Sequence, residues 1–180
     1  MNKKLLVVSG SLLVLALPGV AAAHPGHDAG ASFAAGALHP LAGVDHLCAL
    51  IAVGLLAGRT HARTGVFIAM TFLVLMSAGM LSAFAGFELP GVEWGIAASI
   101  VAMALLAWRP PHELPVFTAA LAGLFAIFHG HAHGAEAASG TLKLAYALGL
   151  LITSAVVIRA AMVAARLPGW SRTRLQHRKH

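Results

Sequence analysis

Between residues 31 and 165 the chain reads as five apolar segments joined by short polar connections, roughly 31–58, 65–87, 92–108, 114–134 and 142–165. A helix needs about 20 apolar residues, in a range near 17–25, to cross a bilayer. The third segment is the shortest. The fourth is apolar only if its histidines are sheltered. Only helices and closed barrels satisfy their backbone groups in lipid. A barrel would show many alternating segments of about 10 residues, whereas these runs are rich in Ala and Leu with no alternation of period 2. The expected fold is therefore all-α, a polytopic membrane bundle of five transmembrane helices. With 10% charged residues against about 25% in soluble domains, and a mean hydropathy of +0.83, the composition agrees.

The first residues add a signal-like start. Lys3 and Lys4 precede an apolar core over 5–17, Pro18 and Gly19 break it, and Ala21, Ala22 and Ala23 supply small residues. This pattern predicts a signal peptide over 1–23, cleaved after Ala23; the alternative is an uncleaved first span. Residues 24–167 then form one transmembrane domain and 168–180 a basic cytoplasmic tail. The mature chain would open with His24, His27 and Asp28, which with the terminal amine could catch a divalent cation or simply form a solvated tail.

The formal charge of +6 invites a nucleic-acid reading, but no basic patch carries interleaved aromatics. The cations instead flank apolar runs. Arg59 and Arg63 follow the first span, Arg109 the third, and Arg159, Arg166, Arg172, Arg174, Arg178 and Lys179 lie in or after the end of the fifth. The connections after the second and fourth spans carry no Lys or Arg; Lys143, just inside the fifth, is the exception. Five spans with a translocated N-terminus put every arginine-bearing end in the cytoplasm. Gly54 and Gly58, and Gly79 and Gly86 seven apart, place small residues where helices could approach closely.

Two constellations break the apolar pattern. His39, Asp45 and His46 fall inside the first run, and His129, His133 and Glu136 at the end of the fourth. Intramembrane ionisable groups cost several kcal/mol, roughly 2.5–3.5 on insertion scales, so function is the default reading. His39 and His46 share a helix face but would stand about 10 Å apart along its axis, too far to share one ion unless the helix is deformed. Pro40 and Gly43 between them favour a kink or late helix start. Asp45 points about 100° from His46 on a regular helix. His129, His133 and Glu136, at i, i+4 and i+7, form one stripe; His131 points elsewhere on a continuous helix and is left as a possible additional ligand. Gly130 and Gly134 allow another segment to come close. Cys48, the single cysteine, excludes an intramolecular disulfide; it could face the same site or be a small packing residue. Glu88, Glu93, His61, His112, His177 and His180 are expected in solvated positions.

HPLAGVDHLCALIAVG matches the HPxxGxDHxxxxxxxG pattern of the HupE/UreJ family of nickel permeases, and FHGHAHGAE resembles that family's second motif, FHGxAHGxE. The resemblance spans essentially the whole chain. It implies secondary transport of Ni²⁺ into the cytoplasm for hydrogenase or urease maturation, with His39, Asp45, His46, His129, His133 and Glu136 as the residues that carry it. A more distant likeness is to the nickel/cobalt transporters, whose motif is H-x4-D-H; the spacing here is one residue longer.

No GxxxxGK[ST] loop is present, so an ion gradient, the membrane potential or a metal sink would drive such a transporter. Imidazole suits several first-row metals, which leaves Co²⁺ and Zn²⁺ as alternatives on residue type alone. A haem-binding electron-transfer protein is another class, since facing histidines could be axial ligands. Asp45 and Glu136 favour a hydrated cation. A membrane metalloprotease would want His-Glu-x-x-His, which is absent. The reading is thus a non-enzyme with no permanent cofactor, with Ni²⁺ as cargo. Its partners would be the inner-membrane bilayer, cytoplasmic nickel chaperones and, left open, further copies of the chain. In this topology His39 and His129 fall at comparable depth in the outer half of the membrane, His46 deeper, and His133 and Glu136 nearer the periplasm. Reporter fusions at Gly140 and His180 are expected on opposite sides of the membrane; both on one side would refute the orientation.

Overall fold

The structure, a computed structural model, describes residues 33–108, 115–137 and 142–167. The signal-like segment, His24, His27, Asp28 and the basic tail lie outside the described residues. Six helices follow in order: α1 (Phe33–Ala42), α2 (Val44–Gly58), α3 (Ala62–Phe84), α4 (Val92–Trp108), α5 (Pro115–Glu136) and α6 (Lys143–Ala164). Among the described residues there is no strand.

α3, α6 and the Val116–Glu136 stretch of α5 are long and apolar enough to cross a membrane. The first expected span is not one rod. α1 and α2 are bent by 82° and count as a fourth span only if taken together. The break falls at Gly43, in an extended conformation (φ −89°, ψ 117°), with Leu47 N–H on the Gly43 carbonyl opening α2. Pro40 sits inside α1, buried, so the proline does not end the helix. α4, at 17 residues, is about 25 Å long, short of a hydrocarbon core of about 30 Å.

Apolar side chains face outward along the long helices. Val66, Met70, Val74 and Leu81 on α3, and Leu144, Leu148, Ile152 and Val156 on α6, are all more than half exposed. Stripes of this length suit lipid, where their burial between helices gains nothing. Packing must then come from close backbone approach, and the glycines supply it. Gly130 and Gly134 of α5 lie against the Met76 and Met80 backbone of α3, and Gly79 of α3 lies against Ile127 of α5. Gly54 and Gly58 of α2 meet Ile158, Ala161 and Met162 of α6 and Ala165 at its C-terminal cap, while Gly36 of α1 meets Tyr146. Gly86 differs from Gly79 in kind. At φ +81° it touches nothing across the bundle and ends α3, with Gly86 N–H on the Ala83 carbonyl and Phe87 N–H on that of Ser82.

These contacts also fix direction. Residue numbers rise together along α3 and α5, so the two run parallel, as do α1–α2 and α6. The chain must therefore return between Phe84 and Pro115, and α4 makes that return. At the other end of the bundle, Arg166 Nε donates to the Gly58 carbonyl at 3.2 Å, tying the end of α6 to the end of α2. Gly130→Ala should destabilise the protein by about 1–3 kcal/mol, because the added methyl meets Met76 backbone rather than a flexible side chain. Thermal unfolding in detergent reads this, and an unchanged midpoint would contradict the packing.

Candidate metal centre

The bend at Gly43 settles the distance problem posed by His39 and His46. Their ring centroids lie 6.2 Å apart, against an axial rise of about 10 Å between the two positions on a straight helix, and both rings reach α5. His39 approaches His133, centroid to centroid 4.8 Å, and its Nε2 lies 3.0 Å from Glu136 Oε2. One ligand atom each from His39, His133 and Glu136 fall within 4.8 Å of one another. A divalent cation with bonds of about 2.0–2.2 Å, as zinc makes to nitrogen and oxygen, could gather them by small side-chain rotations. The set is graded in exposure: the Glu136 side chain is 49% exposed, that of His39 31%, and His133 is 2% exposed.

His46 continues the cluster inward. Its ring lies 4.2 Å from that of His133 and 5.2 Å from that of His129, both buried. His46 Nδ1 lies 3.2 Å from Asp45 Oδ1. A carboxylate only accepts, so Nδ1 carries a proton; in the neutral imidazole Nε2 then holds the lone pair, the carboxylate–imidazole arrangement common behind metal ligands. His46 Nε2 and His133 Nδ1 are buried without a hydrogen-bond partner. Both residues line a small cavity with Ala49, Leu50, Phe72, Met76, His129 and Ser154. Unpartnered buried imidazole nitrogens beside a cavity are costly in an apolar bundle and suit a transient ligand.

Gly43 earns its place here by room rather than by torsion, since its φ is negative. A Cβ there would stand 2.8 Å from His46 Nδ1 and 3.1 Å from Asp45 Oδ1. Asp45 itself is 43% exposed and backs His46 instead of entering the cavity. His39, expected at a depth comparable to that of His129, lies beside residues about one to two turns further along α5. His39 meets His133 and Glu136, and it is His46 that meets His129. Cys48 is exposed and is not among the residues that line the cavity.

His131 is occupied elsewhere. Its Nε2 accepts the Leu89 N–H at 3.3 Å and its Nδ1 lies 3.1 Å from Ser82 Oγ, which itself donates to the Gly79 carbonyl. It thus pins the α3–α4 connection to α5. Sequence reading overlooked three neighbours. Tyr146, the sole tyrosine, packs its ring 5.8 Å from that of His39. Ser154 lines the cavity, and Ser99 of α4 contacts His129 Nε2 at 2.9 Å. The only signal for them was their polarity within apolar helices.

The HupE / UreJ protein family model matches residues 12–178. "Protein HupE" of Rhizobium leguminosarum bv. viciae is 33% identical over 151 residues, which cover 83% of this chain and 78% of that protein. No solved structure matches. With the match running through both histidine motifs and nearly the whole length, the chain belongs to the HupE/UreJ family.

Proposed function

We propose that this protein is a secondary transporter that moves Ni²⁺ across the inner membrane into the cytoplasm, for hydrogenase or urease maturation. The observation that carries the reading is the convergence of His39, His133 and Glu136 within 4.8 Å, at the open end of a buried histidine series. Glu136 and His39, the most exposed members, capture the cation. The Glu136 carboxylate offsets part of its charge as water is shed. His133 receives it next, and His46 with His129 takes it inward past the small cavity. Asp45 holds the His46 ring with Nε2 free and supplies a second compensating charge. Each step exchanges one imidazole for a neighbour a few ångströms away, so no state strands a bare divalent ion in the apolar bundle.

The topology that goes with this is five crossings, with a periplasmic N-terminus after signal cleavage and a cytoplasmic C-terminus. The parallel courses of α3 with α5 and of α1–α2 with α6 support it, since alternating crossings require both. α4 is then the short third crossing. The cytoplasmic arginines, Arg59 and Arg166 among them, lie at the end opposite the Glu136 opening. Nickel chaperones would receive the ion there. The preference for nickel rests on the family resemblance, because His and carboxylate ligands also serve Co²⁺ and Zn²⁺.

Uptake of radioactive nickel by cells carrying the protein should exceed that of cells without it. It should fall to the background level in the His133→Ala variant at matched membrane abundance, with cobalt and zinc competing less well than unlabelled nickel. Wild-type uptake by His133→Ala would refute the pathway, and stronger competition by zinc or cobalt would reassign the cargo. Gly43→Ala should keep the protein in the membrane yet lower uptake by about tenfold, since its methyl displaces the His46–Asp45 pair. Undiminished uptake would show that the pair's placement does not matter.

A further inference from the structure

α4 sends one polar side chain into the histidine cluster. Ser99 is 1% exposed, on the buried face that also carries Gly95, one turn earlier. A Cβ at Gly95 would collide with the Phe128 ring, so this face of α4 lies directly on α5 beside His129. Ser99 Oγ makes two short contacts, 2.6 Å to the Ile96 carbonyl oxygen and 2.9 Å to His129 Nε2.

A hydroxyl has one proton, and a carbonyl oxygen can only accept. Were that proton given to His129, the Ser99 and Ile96 oxygens would face each other at 2.6 Å with no hydrogen between them. Only one assignment turns both contacts into hydrogen bonds. Ser99 O–H donates to Ile96, and His129 Nε2–H donates to Ser99 Oγ. In a neutral imidazole the lone pair then belongs to Nδ1.

We propose that Ser99 is a positioning residue that fixes His129 in the Nε2–H form, so that Nδ1 is the nitrogen His129 offers to a metal ion. Ser99 does for His129 what Asp45 does for His46, but from a different helix and without a charge. The two rings present opposite nitrogens, Nε2 from His46 and Nδ1 from His129. Their centroids are 5.2 Å apart, and both residues line the same cavity. A hydroxyl fits the deeper position because a second carboxylate there would be buried without compensation and would hold the cation too tightly to release it. The use of that nitrogen in transport rests on the nickel reading above; the tautomer does not.

The test is nitrogen NMR of histidine-labelled, metal-free protein in detergent, with the His129 signals assigned by their loss in His129→Gln. The wild type should show the Nε2–H form. Ser99→Ala should lose that preference and bind nickel about 10–100-fold more weakly, the usual cost of removing such a support. Ser99→Thr keeps the hydroxyl and should restore both. An Nδ1–H form in the wild type would overturn the proposal, as would an unchanged tautomer and nickel affinity in Ser99→Ala. A wild type with the Nε2–H form but no nickel uptake by cells would refute the transport reading alone and leave the tautomer assignment standing.

Discussion

The 82° bend at Gly43 is the constraint on which the rest depends. On one continuous helix, His39 and His46 would sit about two turns apart and present two unrelated polar defects to the bilayer. Broken there, α1 and α2 deliver them to the same stretch of α5 from two directions. Gly43 leaves space for the Asp45–His46 pair, while Gly36 and Gly54, one on each side of the break, hold both arms against α6. The site and the packing therefore use the same small residues. The bend would cost backbone hydrogen bonds in lipid if its groups faced the acyl chains. In the protein, the Gly43 carbonyl is taken by the Leu47 N–H and the bend lies over the histidine cluster.

A histidine in such a cluster has two nitrogens and can offer only one lone pair. The other must be spoken for, or the ring is free to turn. Asp45 serves this purpose for His46 and Ser99 for His129, and His131 shows the opposite outcome. With both of its nitrogens engaged, by Ser82 and by the Leu89 N–H, His131 is a structural tie between α5 and the α3–α4 connection. Three histidines within five residues of one helix thus divide into two candidate ligands and a fastener. The division follows from which neighbouring helix each one faces.

Much of this was legible in the residues. The apolar runs gave the helices to within a few positions, and the polar residues set inside them marked both halves of the candidate site. The GxxxG spacing of Gly54 and Gly58 announced a close helix contact, and α6 provides it. What stayed hidden was relative placement. Periodicity says which residues share a face; it does not say how one helix is shifted along another, so it sets His39 at the depth of His129, whereas the ring lies beside His133 and Glu136. Gly79 and Gly86 look alike in sequence, yet one packs and the other caps, because the second lies past the last turn of α3. Ser99 and Tyr146 gave no local signal beyond their polarity, since their roles exist only across helices.

In the proposed transport, residues brought together from α1, α2 and α5 form the coordination shell of the moving ion. X-ray absorption at the nickel edge, on nickel-loaded protein purified in detergent, reads that shell directly. Imidazole scattering together with oxygen donors is expected, reduced in His39→Ala and again in His133→Ala. A shell of oxygen donors alone, unchanged by either substitution, would contradict it.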